Sequence, residues 1–131
     1  MKKTIIMLTL GLILLLNASD FSKGIDALNK KNYKTALKYL KKACTNGENA
    51  GCYNLGVMYT NGVGVRQNIS KAKYYSQKAC DGGNSKGCYN VGSAYANQNN
   101  WYSAKKYFKK ACDGGVSKGC KNYKFLSKEG Y

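Results

Sequence analysis

Between Asn32 and Cys44 the chain reads NYKTALKYLKKAC, which sets Ala36, Leu37, Leu40 and Ala43 on one face of a helical period and Lys34, Lys38, Lys41 and Lys42 on the opposite one. The pattern predicts an amphipathic helix, and Asn32 suits its N-cap, where a side-chain oxygen accepts an orphan backbone N–H. The spacing returns twice: Asn68, Ala72, Tyr75, Ala79 and Cys80, then Asn100, Ala104, Tyr107, Ala111 and Cys112, stand where Asn32, Ala36, Tyr39, Ala43 and Cys44 stand in the first copy. After each copy a glycine-rich turn, TNGENAG, DGGNSKG or DGGVSKG, ends the helix by positive φ. A second, shorter helix is predicted to begin near Cys52, Cys88 or Cys120. Ahead of the first copy a helix from about Asp20 to Lys30 completes a pair, and a half-unit from about Val116 to Lys128 closes the chain as a cap. Cys44 and Cys80 are 36 residues apart and Cys80 and Cys112 are 32 apart, periods that mark a stacked array. The expected units are 20–47, 48–83, 84–115 and a half-repeat cap over 116–131.

Residues 1–18 break this pattern. Lys2 and Lys3 are followed by an apolar run from Ile5 to Leu16 and a small residue at Ala18, the form of a signal peptide. About 12 apolar residues fall short of the ~20 a spanning helix requires, so cleavage after Ala18 and export to the periplasm or the exterior are expected. Export changes how the six cysteines read, from metal or redox chemistry to disulfides. They form three C-x7-C pairs, Cys44 with Cys52, Cys80 with Cys88 and Cys112 with Cys120. Six cysteines allow 15 pairings, and an internal repeat makes three equivalent local bridges the simplest of them. Each would join the last turn of one helix to the first turn of the next.

Composition then removes several kinds of chemistry. The 131 residues include no histidine and no proline, and 22 Lys plus Arg face 6 Asp plus Glu for a net charge of +16, or +14 without Lys2 and Lys3. A histidine-based triad and a histidine-containing zinc site are excluded, and paired-carboxylate catalysis has little to work with. No metal and no cofactor is expected. So basic a domain attracts polyanions, but Arg66 is the single arginine. That leaves almost no bidentate base or phosphate reader, so nucleic acid is not the expected partner. The lysines of the asparagine-capped helices, such as Lys105, Lys106, Lys109 and Lys110, read as a solvated face with weak attraction to anionic surfaces. A monomer is expected.

Gly92, Tyr95, Ala104, Phe108 and Ala111 reproduce the glycine, aromatic and alanine spacing of tetratricopeptide-type repeats, and the loop YTNGVGVRQN from Tyr59 to Asn68 is similar to the signature of the Sel1-like subfamily. With one C-x7-C pair per unit and an exported context, the chain resembles the Helicobacter cysteine-rich protein family of Sel1-like repeats. The third unit departs by shortening the loop to YANQNN. The resemblance implies an all-α, right-handed, disulfide-stapled solenoid of antiparallel helix pairs. It further implies a secreted or periplasmic protein that binds penicillin, with a β-lactamase attribution, and more broadly a peptide- and protein-binding scaffold.

The residues themselves support lactam chemistry poorly. S-x-x-K occurs at Ser70–Lys73 and Ser103–Lys106, a spacing at which lysine can activate serine. In so lysine-rich a chain the match is expected by chance, and the companion S-D-N and K-T-G elements are missing. Asn54, Asn90 and Asn122 are more informative, because asparagine is a poor interior helix residue and recurs two positions after each second cysteine. On the concave face of a stacked array such carboxamides pair with an extended peptide backbone, donor to carbonyl and acceptor to N–H. Tyr53, Tyr89 and Lys121 would add an aromatic and cationic rim. Tyr39, Tyr75 and Tyr107 read as packing between helices. The expectation is therefore a module whose concave face binds a peptide, a protein or a peptidoglycan-like small molecule such as a β-lactam; the alternative is a β-lactamase.

Overall fold

The computed structural model describes residues 19–131, so the expected signal peptide at 1–18 lies outside the described residues. Seven helices follow one another without a strand among the described residues: α1 (Asp20–Asn29), α2 (Tyr33–Thr45), α3 (Asn49–Asn61), α4 (Ile69–Asp81), α5 (Ser85–Asn97), α6 (Trp101–Asp113) and α7 (Ser117–Lys128). Each packs on the next, and α1, α3 and α5 lie side by side, which makes the array a solenoid of helix pairs. No described helix is long and apolar enough to cross a membrane.

The expected caps are in place. Asn32, Asn68 and Asn100 accept hydrogen bonds from the backbone N–H of Thr35, Lys71 and Ser103. Gly47, Gly83 and Gly115 close the turns at φ between 87° and 98°, where an L side chain is strained. The helices after the turns differ from expectation. They start at Asn49, Ser85 and Ser117, three residues before the second cysteines, and α3 and α5 are as long as their partners at 13 residues. Glycine does not stop them: Gly51 and Gly56, like Gly87 and Gly92, are buried within the helices at seams too close for a side chain.

Two kinds of seam alternate along the array. Between α1 and α2, α3 and α4, and α5 and α6, a Cβ on Gly24, Gly56 or Gly92 would come within 2.6–2.8 Å of Leu40, Ser76 or Phe108. These seams carry no covalent link. Between α2 and α3, α4 and α5, and α6 and α7 the disulfides Cys44–Cys52, Cys80–Cys88 and Cys112–Cys120 form, with Cα separations of 4.5–4.6 Å. Gly51, Gly87 and Gly119 precede the second cysteines and admit that approach, since a Cβ there would meet backbone N and O atoms of the facing helix at 3.0–3.2 Å. The first glycine of each DGG turn has another task. Gly82 and Gly114 have ordinary negative φ, but a Cβ would strike the side chain of Asn49 or Ser85 one unit back. Asn49 Nδ2 donates to Gly82 O at 2.6 Å, linking successive units.

The core is a ladder of small and medium residues: Ala36, Leu40, Ala43, Leu55 and Met58, then Ala79 and Val91, then Ala104, Phe108, Ala111 and Leu126. Tyr75 stacks on Tyr59 and Tyr107 on Tyr95, with ring centroids 5.7 and 5.6 Å apart, so these two tyrosines do pack between helices. Tyr39 has no such partner, because Ala27 stands where the other units carry Tyr59 and Tyr95. Its ring is instead flanked by the ammonium groups of Lys23, Lys38 and Lys42 at 5.5–5.7 Å.

Candidate binding groove

Leu40 and Phe108 fill the core position facing the helix glycine in the first and third units. The middle unit has Ser76 there, 2 % exposed. The smaller side chain leaves a depression of about 250 Å³ between α3 and α5, floored by α4 at Ala72 and Ser76. Tyr53, Val57, Thr60 and Asn61 form one wall and Asn90, Ser93, Ala94 and Asn97 the other, with Ile69 and Lys73 at the rim. The walls therefore mix apolar contact with carboxamides and hydroxyls. Among the described residues Lys73 is the one charged group that lines the depression.

Within this geometry the asparagine row divides. Asn90 faces the groove and has no side-chain hydrogen bond among the described residues, so its donors and acceptor are available to a ligand. Asn54 Nδ2 donates to Ala50 O at 2.8 Å in its own helix. Its side chain borders a separate shallow hollow with Ala50, Asn84, Ser85 and Gly115. Tyr53 belongs to both hollows. Tyr89 is half-buried and packs on Phe108 with centroids 5.5 Å apart, so its ring serves the core between α5 and α6. Asn122 is half-buried and Lys121 exposed on α7, and neither lines the groove. The structure thus brings Tyr53 and Asn90 together and leaves Asn54, Tyr89, Asn122 and Lys121 outside that pair.

Val57, Ser93 and Asn97 escaped the sequence reading, although the signal was present. They fall four or seven residues after Tyr53 and Asn90, or four after Tyr89, on the same helical face. Ser76 was hidden for a different reason, since a serine in an otherwise apolar core position attracts no notice until its repeat partners Leu40 and Phe108 are aligned with it.

The S-x-x-K pairs do not form a nucleophile with its base. Ser70 is exposed at the start of α4, and Lys73 Nζ lies 3.6 Å above the centre of the Tyr95 ring. Ser103 sits in the capped first turn of α6, where its N–H is bonded to Asn100, and Lys106 is exposed beside Tyr107. No group of three or more potential metal ligands occurs among the described residues.

Stacked helix pairs, one disulfide per unit and a groove of neutral polar groups define a stapled helical-repeat scaffold. The Sel1 repeat pattern matches residues 21–48, 49–84 and 102–116. The chain superposes on a Sel1 repeat protein from Oxalobacter formigenes with a TM-score of 0.74 at 27% identity, covering 82% of this chain and 46% of that one. It superposes on cysteine-rich protein B of Helicobacter pylori with a TM-score of 0.61 at 36% identity, covering 66% of this chain and 68% of that one. HcpC of Helicobacter pylori, whose name carries a provisional β-lactamase attribution, is 44% identical over 61 residues, which is 43% of this chain but 21% of HcpC. The chain belongs to the Sel1 repeat family, together with the Helicobacter cysteine-rich proteins. It spans about a fifth of HcpC's length. Sel1 repeats serve as protein-interaction scaffolds, and three structural disulfides mark a protein of an oxidising compartment.

Proposed function

We propose that this protein is an exported scaffold that holds an extended peptide segment of a partner protein in the groove between α3 and α5. The observation that carries the reading is the groove's lining: Asn90 with an unspent carboxamide, the Ser93 hydroxyl, Val57 and Ala94 as apolar contacts, and a floor of Ala72 and Ser76 lowered by the small serine. Such a lining takes a peptide backbone through hydrogen bonds and small apolar side chains through contact. Periplasm and exterior both provide the oxidising setting the bridges require.

The test is fluorescence anisotropy of the oxidised mature chain against a labelled library of extended peptides, followed by two variants. Asn90→Ala removes a donor–acceptor pair and should weaken the selected peptide about five- to thirtyfold, the equivalent of ~1–2 kcal/mol. Ser76→Val fills the floor and should weaken it similarly while the helix content stays unchanged. Unaltered affinity in both variants would remove the groove from the account.

The β-lactamase attribution attached to HcpC supplies a second arm. A chromogenic β-lactam is added to the oxidised chain beside a control of matched lysine content, because free amines open lactam rings without turnover. Stoichiometric or slower opening equal to the control fits a binding scaffold. Multiple turnovers would make the protein an enzyme and redirect the search to its serines and tyrosines.

A further inference from the structure

Two further hollows lie at corresponding places on α4 and α6 in successive units, the first sharing Ile69 and Lys73 with the rim of the groove. On α4, Ser70, Lys73, Tyr74 and Gln77 border a notch closed by Tyr95 and Gln98. On α6, Tyr102, Lys105, Lys106 and Lys109, each 32 residues further on, border the equivalent notch, closed by Tyr123 and Tyr131. In both, a lysine lies over a tyrosine of the following helix: Lys73 over Tyr95 at 3.6 Å and Lys105 over Tyr123 at 5.8 Å. Tyr74 and Tyr102, one helical turn apart in the repeat because Tyr102 corresponds to Ser70, stand 58% and 79% exposed at the mouths, far more open than core packing requires. Asp81 lines the first notch, where Gln77 donates to it, and Asp113 pairs with Lys109 of the second at 2.9 Å. Lys105 donates to Tyr131 O, and Lys73, Lys78 and Lys106 have no acidic partner among the described residues.

We propose that the two notches together bind a linear acidic polysaccharide. Open tyrosine faces stack against the C–H faces of sugar rings, while flanking ammonium groups pair with carboxylate or sulfate groups that recur along such a chain. The repetition suits a polymer, since equivalent notches in successive units lie two interhelical steps apart, roughly 16–20 Å. The net charge of +14 without Lys2 and Lys3 draws a polyanion toward the notches, and the rings give it a register that charge alone lacks. An anionic membrane fits less well, because the exposed rings sit in separate notches instead of forming the continuous apolar helix face that interfacial insertion uses.

The experiment measures binding of the oxidised chain to size-fractionated heparin fragments at several salt concentrations, with neutral dextran and phosphatidylglycerol-containing vesicles as comparison ligands. Heparin binding should strengthen stepwise once fragments span both notches. The double variant Tyr74→Ala/Tyr102→Ala keeps every charge and should lose about tenfold in affinity with an unchanged salt slope. Lys78→Gln/Lys106→Gln, on the notch flanks, should cost more than Lys34→Gln/Lys41→Gln, two exposed lysines on α2. Far-ultraviolet circular dichroism and melting temperature establish that each variant folds. The proposal is overturned if the tyrosine variant binds heparin as the parent does, if the two lysine pairs cost the same, or if only vesicles bind in a tyrosine-dependent way.

Discussion

Replacing Gly87 with alanine sets two effects of known sign against each other. Alanine favours a helix over glycine by about 1 kcal/mol. Against this, a Cβ at position 87 would lie 3.0 Å from the backbone N of Cys80 and from Ser76 O, and 2.8 Å from Ala79 Cβ. Backbone atoms of a packed helix cannot rotate aside as a side chain does, and the Cys80–Cys88 bond holds α4 and α5 at a Cα separation of 4.5 Å. Relief requires the helices to part by a few tenths of an ångström along a buried seam, and overpacking of that kind costs ~1–3 kcal/mol. With the cost near the top of that range, the net loss is about 1–2 kcal/mol, a fall in melting temperature on the order of 5–10 °C. Thermal and urea unfolding followed by circular dichroism measure it. Gly82→Ala is the comparison, because its new Cβ meets the Asn49 carboxamide, a side chain that can swing aside at the cost of its bond to Gly82 O, about 1 kcal/mol. Removing the bridge with Cys80→Ala/Cys88→Ala should shrink the cost of Gly87→Ala, since the helices can then separate. A Gly87→Ala protein as stable as the parent would refute the claim that this glycine exists to admit the facing backbone.

Three further outcomes follow from the same structure. Closing an eight-residue separation stabilises by about 2.5 kcal/mol on the chain-entropy model, so full reduction should unfold or loosen the domain. Partial reduction read by mass spectrometry should open Cys112–Cys120 first, because the other four cysteines are 6% exposed or less; an unchanged melting temperature after full reduction would contradict the first point, and another bridge opening first the second. Lys31 and Asn99 hold φ of 57° just before the N-caps Asn32 and Asn100, so Lys31→Gly should stabilise by ~1 kcal/mol and Asn99→Gly by less, since asparagine tolerates that region, which urea unfolding checks directly. Burial and the neighbouring Tyr59 and Tyr74 hold the Tyr75 phenol above its ordinary value. The folded chain then keeps this proton longer than the unfolded one, so stability falls as pH rises through about 10. Tyr75→Phe should flatten the decline, and identical slopes would show that the tyrosine contributes nothing to it.

The repeat was legible because one unit is written almost three times: the caps at Asn32, Asn68 and Asn100, the buried alanines and the cysteine spacing all recur in register. Helix starts at Asn49 and Ser85 were not, because buried glycines read locally as breakers, and only a facing helix explains them. Gly82 and Gly114 looked like turn glycines when their need is steric, imposed by Asn49 and Ser85 from 33 and 29 residues away. The groove was half legible. Tyr53 and Asn90 stood out as repeated polar positions on one face, but the depression beside them depends on Ser76 being smaller than Leu40 and Phe108. The fate of Tyr89 depended on its contact with Phe108, a distance that no spacing encodes.

The alternation of bridged and unbridged seams fixes how the array yields to force. Pulled from its ends, the chain can part fully at the glycine seams, α1 from α2, α3 from α4 and α5 from α6, whereas α2 and α3, α4 and α5, and α6 and α7 can peel apart only as far as their bridge. The turns between the bridged cysteines stay closed loops, each keeping roughly 20–25 Å of extended chain out of reach. A force–extension trace would therefore end short of the full contour length, and adding a reductant under tension would release the remainder in three equal steps.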